Sequence, residues 1–129
     1  MDTISEFLTR VRNAGSAKHE KVDIPSSKVR VGIANILEKS GLIRSFKVAR
    51  DSKQGVMRVY LKYDEAGNHA ISAISKVSKP GRRVYVKSNE IPEVRSGLGM
   101  TIVSTSQGMM SGTEAKQKNL GGELICKIW

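Results

Sequence analysis

The last quarter of the chain reads Gly97-Leu-Gly-Met-Thr-Ile-Val-Ser-Thr-Ser-Gln-Gly-Met-Met110 and, after a short polar segment, Leu120-Gly-Gly-Glu-Leu-Ile-Cys-Lys-Ile-Trp129. Its apolar stretches predict strands on either side of a polar loop, Ser104-Thr-Ser-Gln-Gly108. Such a loop offers backbone N–H groups and hydroxyls that both donate and accept, which suits close approach to a sugar-phosphate surface or to base edges. An ordinary hairpin turn would use the same residues, so the spacing alone leaves both interpretations open.

Two shorter patterns complete this region. Ser111-Gly-Thr-Glu114 is a capping box and predicts a short helix that continues to about Asn119. The glycine pair Gly121-Gly122 precedes the last strand, in which we expect Leu124, Cys126 and Ile128 to share one face. The region is therefore predicted to be mainly β-structure with one short helix.

The residues before it predict two helices in the N-terminal half. Apolar residues at helical spacing form a stripe in each. The first stripe consists of Ile4, Phe7, Leu8 and Val11, and the second of Val29, Ile33, Ile36 and Leu37. We expect Gly15 to end the first helix in a left-handed conformation, and Ser26 or Ser27 to cap the second.

Strands are predicted for residues 21–24, 42–48 and 56–63, where apolar and polar residues alternate. Two helices and about three strands predict an N-terminal α/β domain over residues 1–66. The polar, glycine-containing segment 64–68 favours a boundary there, which leaves a β-rich C-terminal domain at 67–129. The expected fold class is α+β, or mixed α/β, in two small domains.

A strand near residue 85 has alternating faces of different character. Arg83, Tyr85 and Lys87 are predicted on one face, and Val84 and Val86 on the other. Cations around an aromatic ring form a platform for a ribose, a base or a phosphate. A solvated face with ordinary charges is the alternative.

The net charge favours a polyanionic partner. The 129 residues include 22 Lys and Arg against 12 Asp and Glu, so the formal net charge is +10. Most of this charge lies before residue 99, which places an almost neutral hydrogen-bonding loop beside a basic remainder. This arrangement suits selective binding of nucleic acid.

Enzyme chemistry is disfavoured by the same sequence. The chain has only two histidines, in polar settings, and no nucleophile elbow, dinucleotide fingerprint or phosphate loop. No cluster has the spacing of metal ligands, so we expect no catalytic residues, no cofactor and no metal. The single Cys126 favours a reducing compartment, and no apolar run is long enough to span a membrane.

Six stretches together resemble the small ribosomal subunit protein eight family (ribosomal protein S-eight, bacterial type) over essentially the whole chain. They are Phe7-Leu-Thr-Arg-Val-Arg-Asn13, Pro25-Ser-Ser-Lys28, Ser78-Lys-Pro-Gly-Arg-Arg-Val-Tyr85, Gly97-Leu-Gly99, Val103-Ser-Thr-Ser-Gln-Gly108 and Gly121-Gly-Glu123. Each is a weak signal alone, but six in this order are specific.

The resemblance implies a structural component of the small ribosomal subunit that binds directly to a central-domain helix of the small-subunit ribosomal RNA and supports subunit assembly. It implies neighbouring small-subunit proteins as partners and a cytoplasmic ribosome, with an organellar ribosome left open. The RNA-binding residues that it implies are Ser104, Thr105, Ser106, Gln107, Tyr85, Lys87, Lys28, Gly122 and Glu123. The family often has lysine at the position of Gln107, and for Glu123 the alternative is that its carboxylate only anchors its own loop through backbone N–H groups. Lys116 and Lys118 stand where the family commonly has arginines, which puts the phosphate contacts of that helix in doubt.

Two further functions are weighed beside this one. Some members of that family repress translation of their own operon messenger RNA, which is an alternative or second role for the same surface. A phosphate-handling enzyme is disfavoured by the absence of the motifs above. Binding to one irregular RNA helix without nucleotide turnover would separate these functions.

Overall fold

The computed structural model describes residues 3–49, 55–79, 81–93 and 99–129. Their contacts divide them into two units, Thr3–Ser72 and Ala73–Trp129. The segment 64–68 lies inside the first unit. The division into domains 1–66 and 67–129 stays a prediction. Gly97, Leu98 and Pro80, which belong to the quoted motifs, lie outside the described residues.

The described residues of the first unit form two helices and an antiparallel three-stranded sheet, as the sequence predicts. The elements are α1 (Thr3–Ser16), β1 (Lys21–Pro25), α2 (Lys28–Lys39), β2 (Ile43–Ala49) and β3 (Val56–Leu61). The strand order is β1-β3-β2, so β3 is the central strand. The fold class expected from the sequence, α+β with an N-terminal two-helix, three-strand unit, is confirmed.

The apolar side chains of both helices are buried against this sheet. Phe7 and Val11 of α1 are fully buried, as are Ile33 and Leu37 of α2. The placement of Val29 in the second stripe is wrong, because its side chain is 41% exposed.

Arg30 is buried in this helix instead. Its guanidinium donates to the Pro25 carbonyl oxygen at 2.7 Å and to the Glu6 carboxylate at 3.3 Å. These bonds offset the cost of burying a charge. Periodicity cannot show this, since it counts arginine as a surface residue.

The prediction that Gly15 ends α1 is also wrong. The helix continues to Ser16, and the left-handed residue is Lys18, with a φ of 63°. A Cβ on Gly15 would collide with Nδ1 of His69, so the glycine makes room for that imidazole ring. Burial lowers the pKa of His69, which favours its neutral form.

In the part of the second unit that the structure describes, five antiparallel strands form one sheet, accompanied by one α-helix. The elements are β4 (Ile74–Lys76), β5 (Tyr85–Val86), a 3₁₀ turn (Ser88–Glu90), β6 (Met100–Thr105), β7 (Gly108–Ser111), α3 (Gly112–Gln117) and β8 (Gly122–Ile128). Along one edge β8 pairs with β6, and along the other it pairs with β4 and β5. Ser111 accepts from the Glu114 N–H and caps α3, which confirms the serine half of the predicted capping box, whereas Oε1 of Glu114 lies 3.1 Å from Nζ of Lys118. The helix ends at Gln117, two residues before the predicted end.

A β-bulge interrupts the pairing of β8 with β6. Ile102 pairs with Cys126 but Val103 pairs with Leu124, so β8 holds one extra residue. Leu124, Ile125 and Cys126 are consequently all buried. The simple alternation that we expected for the last strand is therefore wrong at this point.

A small core lies between this sheet and α3. It consists of Ile91, Val103, Met110, Ala115 and Leu124, against which Val77, Val84, Val86 and Leu120 pack. Val84 and Val86 thus face inward while Arg83, Tyr85 and Lys87 are exposed, which confirms the alternation predicted for that strand.

Two glycines in helices test the role of His69. Gly15→Ala should lower the free energy of unfolding by about 1–3 kcal/mol, because the added methyl group collides with the imidazole ring. Gly32→Ala is the control, since nothing lies within 4 Å of its added Cβ. Gly32→Ala should instead stabilise by about 0.5–1 kcal/mol, because alanine loses less backbone entropy in a helix. Urea denaturation measures both, and equal effects would contradict the assigned role of Gly15.

Candidate nucleic-acid interface

The predicted polar loop is the two-residue turn of a hairpin between β6 and β7. Thr105 pairs with Gly108, which leaves Ser106 and Gln107 at the tip. The Thr105 hydroxyl donates to the Gly108 carbonyl oxygen at 2.8 Å and accepts from the Gln107 N–H at 3.1 Å. Gly108 has a φ of 104°, which a residue with a side chain rarely adopts. The Thr105 side chain therefore holds the shape of the turn.

The hydroxyls of Ser104 and Ser106 differ from that of Thr105. Within the part of the chain that the structure describes, neither Oγ atom has a hydrogen-bond partner. Ser104 is half-buried at the end of β6, whereas Ser106 and Gln107 are exposed. Each serine hydroxyl can therefore offer one donor and two acceptor positions to a ligand.

Strand pairing places three of the predicted residues in one row. Ser104 pairs with Glu123 of β8, and Glu123 pairs on its other side with Tyr85 of β5. Residues directly opposite each other in a sheet project from the same face, so these three side chains are neighbours. Tyr85 is 71% exposed, which makes its ring available to a ligand. We call Tyr85, Glu123 and Ser104 the sheet row.

Glu123 is paired with a cation inside this surface. Its carboxylate accepts from Nη1 of Arg83 at 3.2 Å, and its side chain is only 19% exposed. The arginine offsets a negative charge that would otherwise repel phosphates. The sequence suggested an RNA contact for Glu123, and this ion pair is a feature that it did not indicate.

The glycine pair permits close approach on both sides of β8. A Cβ on Gly122 would collide with the Ser104 carbonyl oxygen, and one on Gly121 would lie 2.5 Å from that of Val86. Both positions therefore exclude a side chain, because the neighbouring atoms belong to the backbone. Because Gly121 and Gly122 have no side chains, β5 and the β6–β7 hairpin can both pack closely against the start of β8.

The segment around Tyr85 is held at both ends. The buried Ser78 hydroxyl accepts from the Val84 N–H at 3.0 Å. After the strand, Ser88 donates to the Asn119 side chain at 2.8 Å. Lys87 lies between these anchors and is exposed, so its ammonium extends from a fixed backbone.

Lys28 belongs to the other unit. It is the first residue of α2 and is exposed, and Ser27 caps that helix by accepting from the Arg30 N–H at 3.1 Å. The sequence offered Ser26 or Ser27 as the cap of this helix, and the structure shows that it is Ser27. The structure therefore places Lys28 at an exposed helix N-terminus, and the other predicted residues in the second unit.

Two observations concern metal binding and the reactivity of the single cysteine. Among the described residues, no group of three or more His, Cys, Asp or Glu side chains could hold a metal ion. Burial raises the pKa of the Cys126 thiol to about 12, so the reactive thiolate is suppressed. In the same part of the chain, every helix is too short or too polar to cross a bilayer.

Comparison with known proteins identifies the family of the chain. Residues 2–129 match the family model described as Ribosomal protein S8. The chain belongs to the ribosomal protein S8 family. A relative named small ribosomal subunit protein uS8, from Bdellovibrio bacteriovorus, is 70% identical over 129 residues, all of both chains. Relatives with that name from Geotalea daltonii and Streptococcus agalactiae are 54% and 48% identical over 128 residues, 99% of this chain and 97% of each relative.

The sequence indicates most of the elements of this surface but not its supporting side chains. The sequence predicts the correct strand face for Arg83. It does not indicate the ion pair of Arg83 with Glu123, because the two residues are 40 positions apart in the chain. Ser78 stands out in the sequence only as part of a motif. Its burial could have been suspected from the turn beside it, since short hydroxyl side chains often bond local backbone.

Removing the hydroxyl of Thr105 should loosen the turn. Thr105→Val keeps the shape of the side chain but removes two hydrogen bonds, so we expect about 1–2 kcal/mol less stability. Amide hydrogen exchange at Gln107 should also become faster. Thr113→Val, on the exposed face of α3, is the control and should change neither measurement. An unchanged exchange rate at Gln107 would show that Thr105 does not hold the turn.

Proposed function

We propose that the chain is a structural component of the small ribosomal subunit that binds the central domain of small-subunit ribosomal RNA and supports subunit assembly, without catalysis. The observation that carries the proposal is the pair of hydroxyls, Ser104 and Ser106, that bond to no described residue and lie beside a turn that Thr105 fixes. Membership of a ribosomal protein family supplies the context. The neighbouring partners are then other small-subunit proteins, and the compartment is that of a cytoplasmic ribosome.

The geometry favours recognition of an irregular RNA helix. The minor groove of A-form RNA is wide and shallow and displays 2′-hydroxyls, which short polar side chains can reach. Ser104 and Ser106 can donate to or accept from those groups, whereas a lysine could only donate. The hairpin tip is narrow because it contains two residues, and a narrow tip suits insertion into a groove.

Tyr85 and Glu123 extend this contact along the sheet row. The exposed Tyr85 ring offers a face for a ribose or an unstacked base. The Glu123 carboxylate, bound to Arg83 through Oε2, keeps Oε1 as an acceptor for an exocyclic amine or a 2′-hydroxyl. Lys87, Gln107 and Lys28 supply further contacts, the lysines with phosphates. Gly122 contributes by close packing and not through a side chain.

Repression of the protein's own operon messenger is a second role for the same surface. It requires only that the messenger present an RNA helix of similar shape. The hydroxyl turn would then be shared by both RNAs, and one set of variants would affect both.

The decisive experiment compares a central-domain ribosomal RNA fragment with an unrelated duplex of equal length. Ser104→Ala/Ser106→Ala should weaken binding to the fragment by roughly 30–150-fold, because it removes two hydrogen bonds of about 1–1.5 kcal/mol each. Its binding to the unrelated duplex should not change, since that binding depends on phosphate charge. Kd values across a salt series measure both effects.

Ser16→Ala/Ser75→Ala provides a matched control, as both serines are exposed and lie outside the hairpin. This control should bind both RNAs as the natural chain does. If Ser104→Ala/Ser106→Ala also leaves the preference for the ribosomal fragment intact, the hairpin is only a turn and the proposed site is wrong.

A further inference from the structure

The three-stranded sheet of the first unit has one face that its helices do not cover. Strand register and burial define it: positions opposite each other project together, and the other face buries Ile24, Met57 and Val59. The side chains on the uncovered face are Lys21, Asp23, Pro25, Ser45, Lys47, Ala49, Val56, Arg58 and Tyr60. We call this the outer sheet face.

Tyr60 lies at the centre of a group of cations on this face. The guanidinium carbon of Arg44 is 5.4 Å from the centroid of its ring, and Nζ of Lys47 is 5.9 Å from it. Lys21 of β1 is directly opposite Tyr60 of β3, so a third cationic side chain projects from the same face. We call Lys21, Arg44, Lys47 and Tyr60 the Tyr60 cluster.

The β2 bulge makes this grouping possible. Ile43 pairs with Leu61 and Ser45 with Tyr60, so Arg44 is the extra residue of the strand. The bulge turns its side chain toward Tyr60, although regular alternation would give Arg44 and Lys47 opposite faces. The cluster therefore depends on a backbone irregularity that a plain strand would not have.

Acidic side chains neutralise only part of the positive charge of the Tyr60 cluster. Asp23 binds Arg58 through two hydrogen bonds of 2.8 and 3.1 Å, so that pair contributes no net charge. Oε1 of Glu20 lies 3.8 Å from Nη2 of Arg44. Both side chains are more than half exposed, and ion pairs between exposed side chains are weak. Lys47 has no ion pair within the described ranges. The cluster thus keeps an excess of positive charge.

We infer that the Tyr60 cluster is a second RNA-contact surface, which binds the phosphate backbone through Lys21, Arg44 and Lys47. The inference rests on the proposed function, since it takes an RNA as the partner. The charges complement a polyanion, and the aromatic ring restrains two long side chains that would otherwise lose entropy on binding. The backbones of β1 and β2 lie about 10 Å apart, two strand spacings, so the cations can contact more than one phosphate.

Phosphate is favoured over a stacked base because cations, and not open space, lie near the Tyr60 ring. The contact should therefore add affinity with little sequence preference. This differs from the hydroxyl turn, which should add preference with little dependence on salt. The two surfaces can be tested independently in the full chain.

The test uses Arg44→Gln/Lys47→Gln in the full chain, with the central-domain fragment and an unrelated duplex as probes. The slope of log Kd against log salt should fall by roughly two, about one for each phosphate that is no longer neutralised. Affinity at low salt should fall about tenfold or more for both RNAs, because phosphate neutralisation is independent of sequence. The control Arg12→Gln/Lys39→Gln removes the same charge from exposed positions on α1 and α2 and should change the slope far less.

Amine acetylation supplies a second measurement on the natural chain. Lys47 should react more slowly in the complex with the fragment than alone, while Lys39 should react equally in both. If the two double variants give equal slopes, or if Lys47 stays fully reactive in the complex, the inference is overturned. The outer sheet face would then be better suited to an acidic protein.

The two double variants distinguish a failure of the proposed site at Ser104 and Ser106 from a failure of the Tyr60 cluster. If Ser104→Ala/Ser106→Ala keeps its preference for the fragment while Arg44→Gln/Lys47→Gln shows the reduced salt slope, the Tyr60 cluster stands and the proposed site does not. The reverse pattern would retain the proposed site and remove the cluster.

Discussion

Close backbone packing around Gly121 and Gly122 is the constraint on which the second unit depends. Strand β8 pairs with three other strands, and at its start it must approach both Val86 and Ser104 more closely than any side chain permits. Glycine is the residue that meets this requirement on both sides. Because the approach is close, Glu123 falls into register with Tyr85 and with Ser104, and the sheet row is formed by backbone pairing before any ligand is present.

The hydroxyl side chains of this unit are of two kinds: some form hydrogen bonds that support the fold, and others remain available to a ligand. Thr105, Ser78 and Ser88 use their hydroxyls within the protein, whereas Ser104 and Ser106 do not use theirs with any described residue. Residues of the same chemical type thus have opposite roles, set by position. Because the supporting bonds already fix the turn, binding would cost little further ordering, which is the advantage of a preorganised surface.

Local patterns in the sequence predict most of the elements. The helical stripes apart from Val29, the serine cap at Ser111 and the alternation around Tyr85 each depend on neighbours within a few residues, and they are confirmed. The polar loop is also indicated by its composition, and the structure shows it as a hairpin turn. The family resemblance, which rests on six ordered motifs, is confirmed by the match over residues 2–129.

The features that the sequence does not indicate depend on partners far away in the chain. Gly15 resembles a helix end, but its role is set by the ring of His69, and Arg30 is buried because Pro25 and Glu6 accept its hydrogen bonds. The bulges in β2 and β8 result from pairing with a neighbouring strand, so no local alternation indicates them. The grouping of cations around Tyr60 is non-local for the same reason.

The central claim is that the fixed hydroxyl turn and its sheet row form the RNA contact. The most direct measurement is an amide and side-chain NMR map of the full chain with and without the central-domain ribosomal RNA fragment. The account predicts that the largest changes fall on Ser104, Ser106 and Gln107 and on Tyr85, while the C-terminal end of α2 does not change. Unchanged signals throughout the hairpin, with changes elsewhere in the chain, would contradict it.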